Sequence, residues 1–189
     1  MKKVFLIHGF RSSPNGGWRP WLLGELAAAD VYACALSMPS PEAPEVDAWV
    51  AEIARYAERD AQDELYLVGH SLGVPAILRF LERAPEHMRI AGAVLVSGPI
   101  EPLGENASIH AFLQPPFNFD AIRSKIGTAC VIHGDDDALV PVRHAEMLAQ
   151  HLSAELVIVP HGGHLNGSGG WKELPQVKDA LLAMTGERP

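Results

Sequence analysis

The sequence predicts an α/β fold, a mostly parallel sheet of about six strands with helices on both faces. Short apolar runs rich in β-branched residues alternate with longer stretches in which apolar residues recur every three or four positions. The first pattern is typical of strands covered on both faces, and the second of amphipathic helices. Because strand–helix–strand units build parallel sheets, this alternation indicates a sheet between two helical layers. The predicted strands are residues 4–8, 31–36, 65–69, 91–97, 129–133 and 156–159.

The helical stretches fill the spaces between these strands and follow the last one. Apolar residues keep a helical period over 18–29, 46–57, 76–81, 142–152 and 174–182. The longest irregular stretch, 98–114, is the natural candidate for a loop over a pocket. With 189 residues, 48% of them hydrophobic, the chain is long enough for one core. We therefore predict a single domain over 1–189.

The composition excludes several classes of partner. The formal net charge is −8 and no cluster of Lys or Arg is present, which argues against nucleic acid and against anionic membranes. The apolar run after Lys3 has four residues before His8, too few for a signal sequence or a membrane span. Cys34 and Cys130 lie in apolar, strand-like runs and make no disulfide framework. We expect a cytoplasmic protein whose partner is a small molecule.

The turn after the third predicted strand carries the motif Gly69-His70-Ser71-Leu72-Gly73, which matches G-x-S-x-G. A strand precedes it and an amphipathic helix follows, as in the nucleophile elbow of the α/β-hydrolase fold. The two glycines remove β-carbons that would collide across so sharp a turn. The turn raises the Ser71 hydroxyl above the sheet edge, at a helix N-terminus. We predict Ser71 as the nucleophile; the alternative is a serine that merely caps the helix.

An acid and then a histidine follow the nucleophile in this fold, each at the end of a later strand. Asp135, Asp136 and Asp137 come directly after the strand at 129–133. Asp137 is the preferred acid because it precedes the Ala-Leu-Val-Pro turn that starts the next helix. Asp136 is the second choice and Asp135 the third. A solvated acidic loop that caps this helix is the alternative for at least one of them.

Two histidines follow the last predicted strand, in the segment His161-Gly-Gly-His164. The glycine pair makes a loop that can turn a histidine toward the serine. His164 directly follows the glycines, so we predict it as the general base, with His161 as its competitor. The H-x-x-H spacing is a weak metal signal, and no third ligand is evident in the sequence. We therefore predict neither a metal nor a cofactor.

A turn after the first predicted strand supplies the remaining element of a hydrolase site. His8-Gly9-Phe10 lies where this fold places a loop whose backbone N–H faces the substrate oxygen. The N–H groups of Phe10 and Leu72 are the predicted oxyanion donors; the alternative is a plain glycine turn. Aromatic residues near the strand-end loops can wall a pocket or anchor a loop to the core. The predicted substrate-binding residues are Phe10, Trp18, Phe112 and Phe117.

Four segments together resemble the YdeN-like small bacterial serine hydrolases, a group that includes the retinoblastoma-binding protein 9 type. They are residues 4–10, 69–73, 137–141 and 161–164, and the resemblance extends over essentially the whole chain. It implies a compact α/β hydrolase without a large lid domain, with Ser71, Asp137 and His164 as the catalytic triad. It does not imply binding to retinoblastoma protein, because the chain contains no Leu-x-Cys-x-Glu sequence.

These observations predict a serine hydrolase of the carboxylesterase type, which cleaves small esters or related acyl compounds through an acyl-serine intermediate. Thioesterase or amidase activity with the same three side chains is one alternative. Another is a non-catalytic module that keeps the fold to bind a ligand or a protein. Since a pure binder has no need of all three triad residue types in the expected order, the sequence favours the enzyme.

Overall fold

The structure, a computed structural model, describes residues 1–57, 63–104 and 107–186. These residues form one six-stranded sheet in the order β2-β1-β3-β4-β5-β6, and every neighbouring pair of strands is parallel. The sheet predicted as mostly parallel is thus wholly parallel in the described residues. The strands are β1 (Lys2–Ile7), β2 (Tyr32–Ala35), β3 (Glu64–His70), β4 (Ile90–Val96), β5 (Ile126–Gly134) and β6 (Glu155–Val159).

Five of the helices lie where the helical period predicts them, and two more occur between β4 and β5. The helices of the described residues are α1 (Arg19–Ala28), α2 (Val46–Ala57), α3 (Gly73–Arg83), α4 (Ala107–Leu113), α5 (Phe119–Arg123), α6 (Arg143–Leu152) and α7 (Pro175–Thr185). The stretch 98–114 is therefore not irregular throughout, because α4 occupies its second half. Ile109, Phe112 and Leu113 lie three and four positions apart, the spacing of one helical face.

Two apolar cores cover the two faces of the sheet. Successive side chains of a strand point to opposite faces, so Phe5 and Ile7 join one core while Val4 and Leu6 join the other. The first core packs beneath α2, α3, α4, α5 and α6, and the second beneath α1 and α7. Burial on both faces explains why the strands are nearly continuous apolar runs.

The strand order reverses between β1 and β3, because β2 lies on one side of β1 and β3 on the other. Ligand sites of open parallel sheets lie beyond the carboxyl ends of the strands at such a reversal. The segment that follows β1 and the turn that follows β3 meet at this point. No helix in the three described segments is long and apolar enough to cross a membrane.

Candidate active site

The turn between β3 and α3 holds Ser71 in a constrained backbone conformation. Ser71 has φ 55°, in the left-handed region that is uncommon for residues other than glycine, and its N–H donates to the Val96 carbonyl oxygen at 2.9 Å. A β-carbon on Gly73 would lie 2.3 Å from the Ile7 carbonyl oxygen, and one on Gly69 would lie 2.9 Å from backbone atoms of Gly73. The chain therefore makes this turn with no room for another atom.

Three distant side chains form a continuous hydrogen-bonded line above the sheet edge. The Ser71 hydroxyl oxygen lies 2.9 Å from Nε2 of His164. On the other side of the same ring, Nδ1–H of His164 donates to Oδ2 of Asp137 at 2.7 Å. With its proton on Nδ1, the imidazole presents the Nε2 lone pair to the serine hydroxyl, as a general base must. The structure therefore brings together the three residues that the sequence singled out.

Hydrogen bonds keep the buried carboxylate of Asp137 ionised. Its Oδ1 accepts the N–H groups of Leu139 at 2.8 Å and Val140 at 3.0 Å. Burial alone would raise the pKa of Asp137, but the hydrogen bonds from His164, Val140 and Leu139 and the attraction of His164 outweigh it, so the pKa is lowered. Behind it, the buried His133 ring donates from Nε2 to the Val140 carbonyl oxygen at 2.8 Å. Burial lowers the pKa of His133, which favours its neutral form beside the acid.

The two neighbouring aspartates hold the backbone that leads to His164. Oδ1 of Asp135 accepts the His161 N–H at 2.8 Å, and Oδ1 of Asp136 accepts the Gly163 N–H at 2.7 Å. Both carboxylates are exposed, and neither contacts the His164 ring. The order of preference among the three aspartates therefore matches the geometry, with Asp137 on the ring and the other two on the loop.

Side chains from three other parts of the chain donate to carbonyl oxygens of the same loop. Trp18 Nε1–H donates to Leu165 at 2.9 Å, and Trp171 Nε1–H donates to Gly162 at 2.8 Å. His70, the residue before the serine, lies with Nε2 3.0 Å from the His164 carbonyl oxygen. Burial, followed by the nearby His164, lowers the pKa of His70 to about 3, so its neutral ring donates this bond.

The turn after β1 and the turn after β3 each present one unused backbone donor beside the serine. Nε2 of His8 accepts the Met38 N–H at 3.2 Å, so Nδ1 carries the proton and donates to the Gly9 carbonyl oxygen at 2.9 Å. Because a trans peptide places its C=O and N–H on opposite sides, this bond also fixes the direction of the Phe10 N–H. Within the described residues, neither the Phe10 N–H nor the Leu72 N–H donates to another protein atom. Both therefore remain available as oxyanion donors.

A cavity of about 900 Å³ opens beside Ser71 and His164. Its lining includes apolar side chains, those of Phe10, Leu72, Leu103, Ile109, Leu139 and Val140. It also includes polar side chains, among them Arg11, Ser12, Ser13, Arg19, Asn166 and Ser168. The cavity therefore offers both apolar and polar side chains to one bound molecule.

The structure corrects the predicted substrate-binding set. Phe112 and Phe117 are buried in the core and do not line the cavity. The reason is α4, which turns Phe112 inward against Trp49 (ring centroids 5.5 Å apart) and leaves Ile109 at the cavity. Phe10 and Trp18 both line the cavity, although only 1% of the Trp18 surface is exposed. The helical spacing of Ile109, Phe112 and Leu113 was the signal that could have placed Phe112 on the core-facing side of a helix rather than in a loop over the cavity.

One surface cluster has the residue types of a metal site. Ligand atoms of Asp135, Asp136 and His161 lie within 4.8 Å of one another, and all three residues are exposed. Each carboxylate already accepts a backbone N–H of the histidine loop. These hydrogen bonds give the cluster a structural role, because they join the loop after β5 to the loop after β6.

The wholly parallel sheet, the left-handed serine between β3 and α3 and the histidine after the last strand define the protein as an α/β hydrolase. Residues 4–183 match the sequence model of the serine hydrolase family, and the chain belongs to this family.

Individual relatives agree with this membership. The chain is 38% identical over 182 residues to YdeN of Bacillus subtilis (strain 168), named as a hydrolase; the match covers 96% of this chain and 95% of that protein. The crystal structure of the B. subtilis ydeN gene product has a TM-score of 0.93 at 37% identity, covering 98% of this chain and 100% of that one. Serine hydrolase RBBP9 of Rattus norvegicus is 24% identical over 168 residues, 88% of this chain and 87% of that one.

Proposed function

We propose that the protein is a carboxylic ester hydrolase that cleaves small acyl esters through an acyl-serine intermediate, with Ser71 as nucleophile, His164 as general base and Asp137 as the acid that orients the base. The observation that carries the proposal is the line of hydrogen bonds from Ser71 Oγ through His164 to Asp137, at 2.9 and 2.7 Å. A serine hydroxyl attacks an ester only when a base takes its proton, and this line supplies that base.

The reaction proceeds in two acyl-transfer steps. Nε2 of His164 takes the hydroxyl proton as Ser71 Oγ forms a bond to the ester carbonyl carbon. The tetrahedral intermediate then collapses, the carbon–oxygen bond to the alcohol breaks, and the protonated imidazole gives its proton to the leaving oxygen. Water, deprotonated by His164, attacks the acyl-serine in the same way and releases the acid. Throughout, Asp137 holds the ring tautomer and stabilises the imidazolium.

Two backbone N–H groups stabilise the charge that develops on the carbonyl oxygen. The Gly9–Phe10 peptide packs close to Ser71, since a β-carbon on Gly9 would lie 2.8 Å from Cβ of Ser71. The Ser71–Leu72 peptide directly follows the serine. The N–H groups of Phe10 and Leu72 have no partner in the described segments. Donors that are fixed before the reaction need no reorganisation as the oxyanion forms. One such donor contributes about 3 kcal/mol of transition-state stabilisation.

A fluorophosphonate probe tests the nucleophile directly, because it forms a covalent bond with an activated serine. We expect labelling of the wild-type protein and hydrolysis of 4-nitrophenyl butyrate, with both lost in Ser71→Ala. Removal of a triad serine lowers kcat by roughly 10⁶-fold in a comparable enzyme. Ser124→Ala, which removes an exposed hydroxyl at the end of α5, is the matched control and should be labelled like the wild type. Labelling that persists in Ser71→Ala would overturn the proposal.

A panel of matched acyl compounds separates ester hydrolysis from the other activities of the same triad. We expect the butyryl ester to be cleaved with a higher kcat/KM than the corresponding thioester and anilide. A preference for the thioester or the amide would replace the ester in the proposal. Folded protein with neither labelling nor turnover would indicate a binding module.

We further propose that the protein acts in the cytoplasm on a small acyl substrate, without nucleic acid or a membrane as partner. Cys34 and Cys130 are both free thiols, which supports a reducing compartment. The net charge of −8 opposes binding to phosphate backbones and anionic lipids. Fractionation of cells that express the protein tests the location; recovery from the membrane pellet or the exported fraction would contradict it.

A further inference from the structure

Among the polar residues that line the cavity is a buried arginine whose positive charge no carboxylate of the described chain offsets. Arg19, the first residue of α1, is 3% exposed. Its Nε–H donates to the Ser13 carbonyl oxygen at 3.1 Å, and Nη2 donates to the Ser12 hydroxyl at 2.8 Å. A guanidinium has five N–H groups, so three have no acceptor among the described residues. No carboxylate of the described chain lies within ion-pair distance of Arg19.

The other buried cations of the described chain are held differently. Arg79 forms an ion pair with Glu82 at 2.6 Å and lies over a phenylalanine ring. The Lys125 ammonium donates to three backbone carbonyl oxygens near the end of α3, at 2.7 to 3.4 Å. Both are thus satisfied by the fold itself. Arg19 likewise lies over an aromatic ring, with Cζ 5.8 Å from the centroid of Trp18. It differs because its acceptors cover fewer than half of its donors and include no negative charge.

The charge on Arg19 persists at neutral pH and reaches the active site. Burial lowers the pKa of Arg19 to about 10, which leaves the guanidinium protonated at pH 7. Its positive charge contributes to the lowered pKa values of His8 and His70, after the larger effect of burial. Burial of an unpaired charge is unfavourable, and such groups occur preferentially where function requires them.

Arg19 lines the cavity and keeps an accessible donor there. Nη1 has no partner in the described chain and is not among the fully enclosed, unpartnered polar atoms, so part of its surface remains accessible. A side chain at position 16 would lie 2.6 Å from Nη2, and Gly16 avoids this contact. The other arginine of the wall, Arg11, is exposed and paired with Glu42 at 3.2 Å. The described part of the cavity wall therefore has one uncompensated positive charge, in a protein whose net charge is −8.

We propose that Arg19, with the Ser12–Gly17 segment beside it, forms an anion subsite, and that the substrate is an ester that also carries a carboxylate. This proposal rests on the proposed ester hydrolysis and deepens it by naming the substrate class. A carboxylate fits because its single charge matches that of the guanidinium and its two oxygens match the free N–H groups. The ester group then lies at Ser71 while the carboxylate binds Arg19 in the same cavity.

Matched pairs of esters test the subsite. The first pair places the charge on the acyl side, 4-nitrophenyl hemiglutarate against 4-nitrophenyl pentanoate. The second places it on the alcohol side, 4-acetoxybenzoate against its methyl ester. In at least one pair we expect the wild type to favour the anionic ester through a lower KM. In Arg19→Gln the ratio of kcat/KM for the anionic to the neutral ester should fall about tenfold, with turnover of the neutral ester retained.

The control variant is Arg55→Gln, which removes an exposed arginine of α2 that does not line the cavity. It should leave both ratios as in the wild type. Equal loss for charged and neutral esters in Arg19→Gln would mean that Arg19 only supports the loop, and would overturn the subsite. Normal turnover by the wild type without preference for either anionic ester would also overturn the subsite, but would leave the proposed ester hydrolysis standing. Absence of fluorophosphonate labelling would instead defeat the proposed function itself.

A measurement on the wild type covers the case in which Arg19→Gln does not fold. Glutarate should inhibit hydrolysis of 4-nitrophenyl butyrate competitively, with a Ki at least about tenfold below that of neutral glutaramide. Added sodium chloride should weaken the inhibition by glutarate, because it screens the ion pair. Equal inhibition by the acid and the diamide would contradict an anion subsite.

Discussion

Ser71 and His164, the proposed nucleophile and base, are held in place by opposite means. The turn around Ser71 is fixed by exclusion, since β-carbons on Gly69 or Gly73 would meet backbone atoms at 2.9 and 2.3 Å. The loop that carries His164 is fixed by attraction, through hydrogen bonds donated to or accepted from side chains of five other residues. A single added atom is enough to disrupt the turn around Ser71. The His164 loop, in contrast, can lose one hydrogen bond and keep the others.

The largest expected effect concerns the acid that joins the two regions. In Asp137→Asn the remaining oxygen can still accept from Leu139 and Val140, so the loop should stay folded. The new amide donates to Nδ1 of His164 and forces the proton onto Nε2, which then cannot accept from Ser71. We expect kcat to fall by about 10⁴-fold with little change in the free energy of unfolding. Ester hydrolysis and urea denaturation measure the two quantities.

The neighbouring acids give the comparison for this variant. Asp135→Asn changes an exposed carboxylate that contacts the histidine loop and not the His164 ring. Its kcat should stay within a few-fold of the wild-type value. Comparable losses in Asp135→Asn and Asp137→Asn would mean that the assignment of the triad acid is wrong.

The next largest effect is expected where an added β-carbon disrupts the turn around Ser71. In Gly73→Ala the added methyl would lie 2.3 Å from the Ile7 carbonyl oxygen and 3.0 Å from that of His8, so β1 must move away from the elbow. We expect the free energy of unfolding to fall by about 3 kcal/mol, together with a loss of activity because the turn after β1 shifts. Equilibrium unfolding in urea measures the change.

Gly24→Ala is the matched control, because a β-carbon at position 24 in α1 would meet no atom within 4 Å. Alanine is the better helix former, so this variant should be more stable than the wild type by about 0.5–1 kcal/mol. If the two glycine variants changed stability alike, steric exclusion would not be what fixes the elbow.

The strands, and the three side chains that meet above the sheet edge, could be picked out in the sequence because both follow from local chemistry. Buried parallel strands must be apolar on both faces, and a sharp strand–helix turn demands glycines around its serine, so 65–69 and Gly69 to Gly73 were visible in the sequence. The preference for Asp137 over Asp136 also rested on a local pattern, the turn that begins the next helix. These features need few long-range contacts to be specified.

The cavity wall was predicted poorly because its residues are selected by packing between distant elements. Phe112 and Ile109 lie on the same face of α4, and the elements packed against each part of that face decide that Phe112 is enclosed while Ile109 lines the cavity. The role proposed for Arg19 was likewise invisible, since it depends on the lack of a carboxylate near this side chain in the described chain. A sequence shows which charges exist but not which of them remain unpaired.

The third prediction concerns His70, which links the elbow to the histidine loop. Burial, followed by His164, lowers its pKa in the folded protein to about 3, whereas an unfolded histidine has the ordinary value of 6.5. Below pH 6.5 the unfolded chain therefore binds a proton that the native state does not. Its contribution lowers the free energy of unfolding by about 1.4 kcal/mol for each pH unit between 6 and 4.

His70→Gln keeps an amide donor for the His164 carbonyl oxygen and removes the titratable group. Its free energy of unfolding, measured in urea at pH 7, 6, 5 and 4, should fall less steeply than that of the wild type. His8, His133 and His144, whose pKa values burial also lowers, remain in both proteins and cancel in the difference. Identical pH dependence of the two proteins would show that His70 is protonated in the folded state.

The smallest expected effect comes from the removal of one bond of the histidine loop. In Asp136→Ala the Gly163 N–H loses its acceptor at 2.7 Å, one residue before the base. The bond is exposed, so its loss costs about 1 kcal/mol, and we expect kcat to fall about fivefold because His164 is less often aligned with Ser71. Asp179→Ala, which removes an exposed carboxylate of α7, provides the same change of charge. A loss of kcat in Asp136→Ala as large as that in Asp137→Asn would mean that the His164 loop cannot lose even one hydrogen bond. The loop would then be as sensitive to a single change as the turn around Ser71.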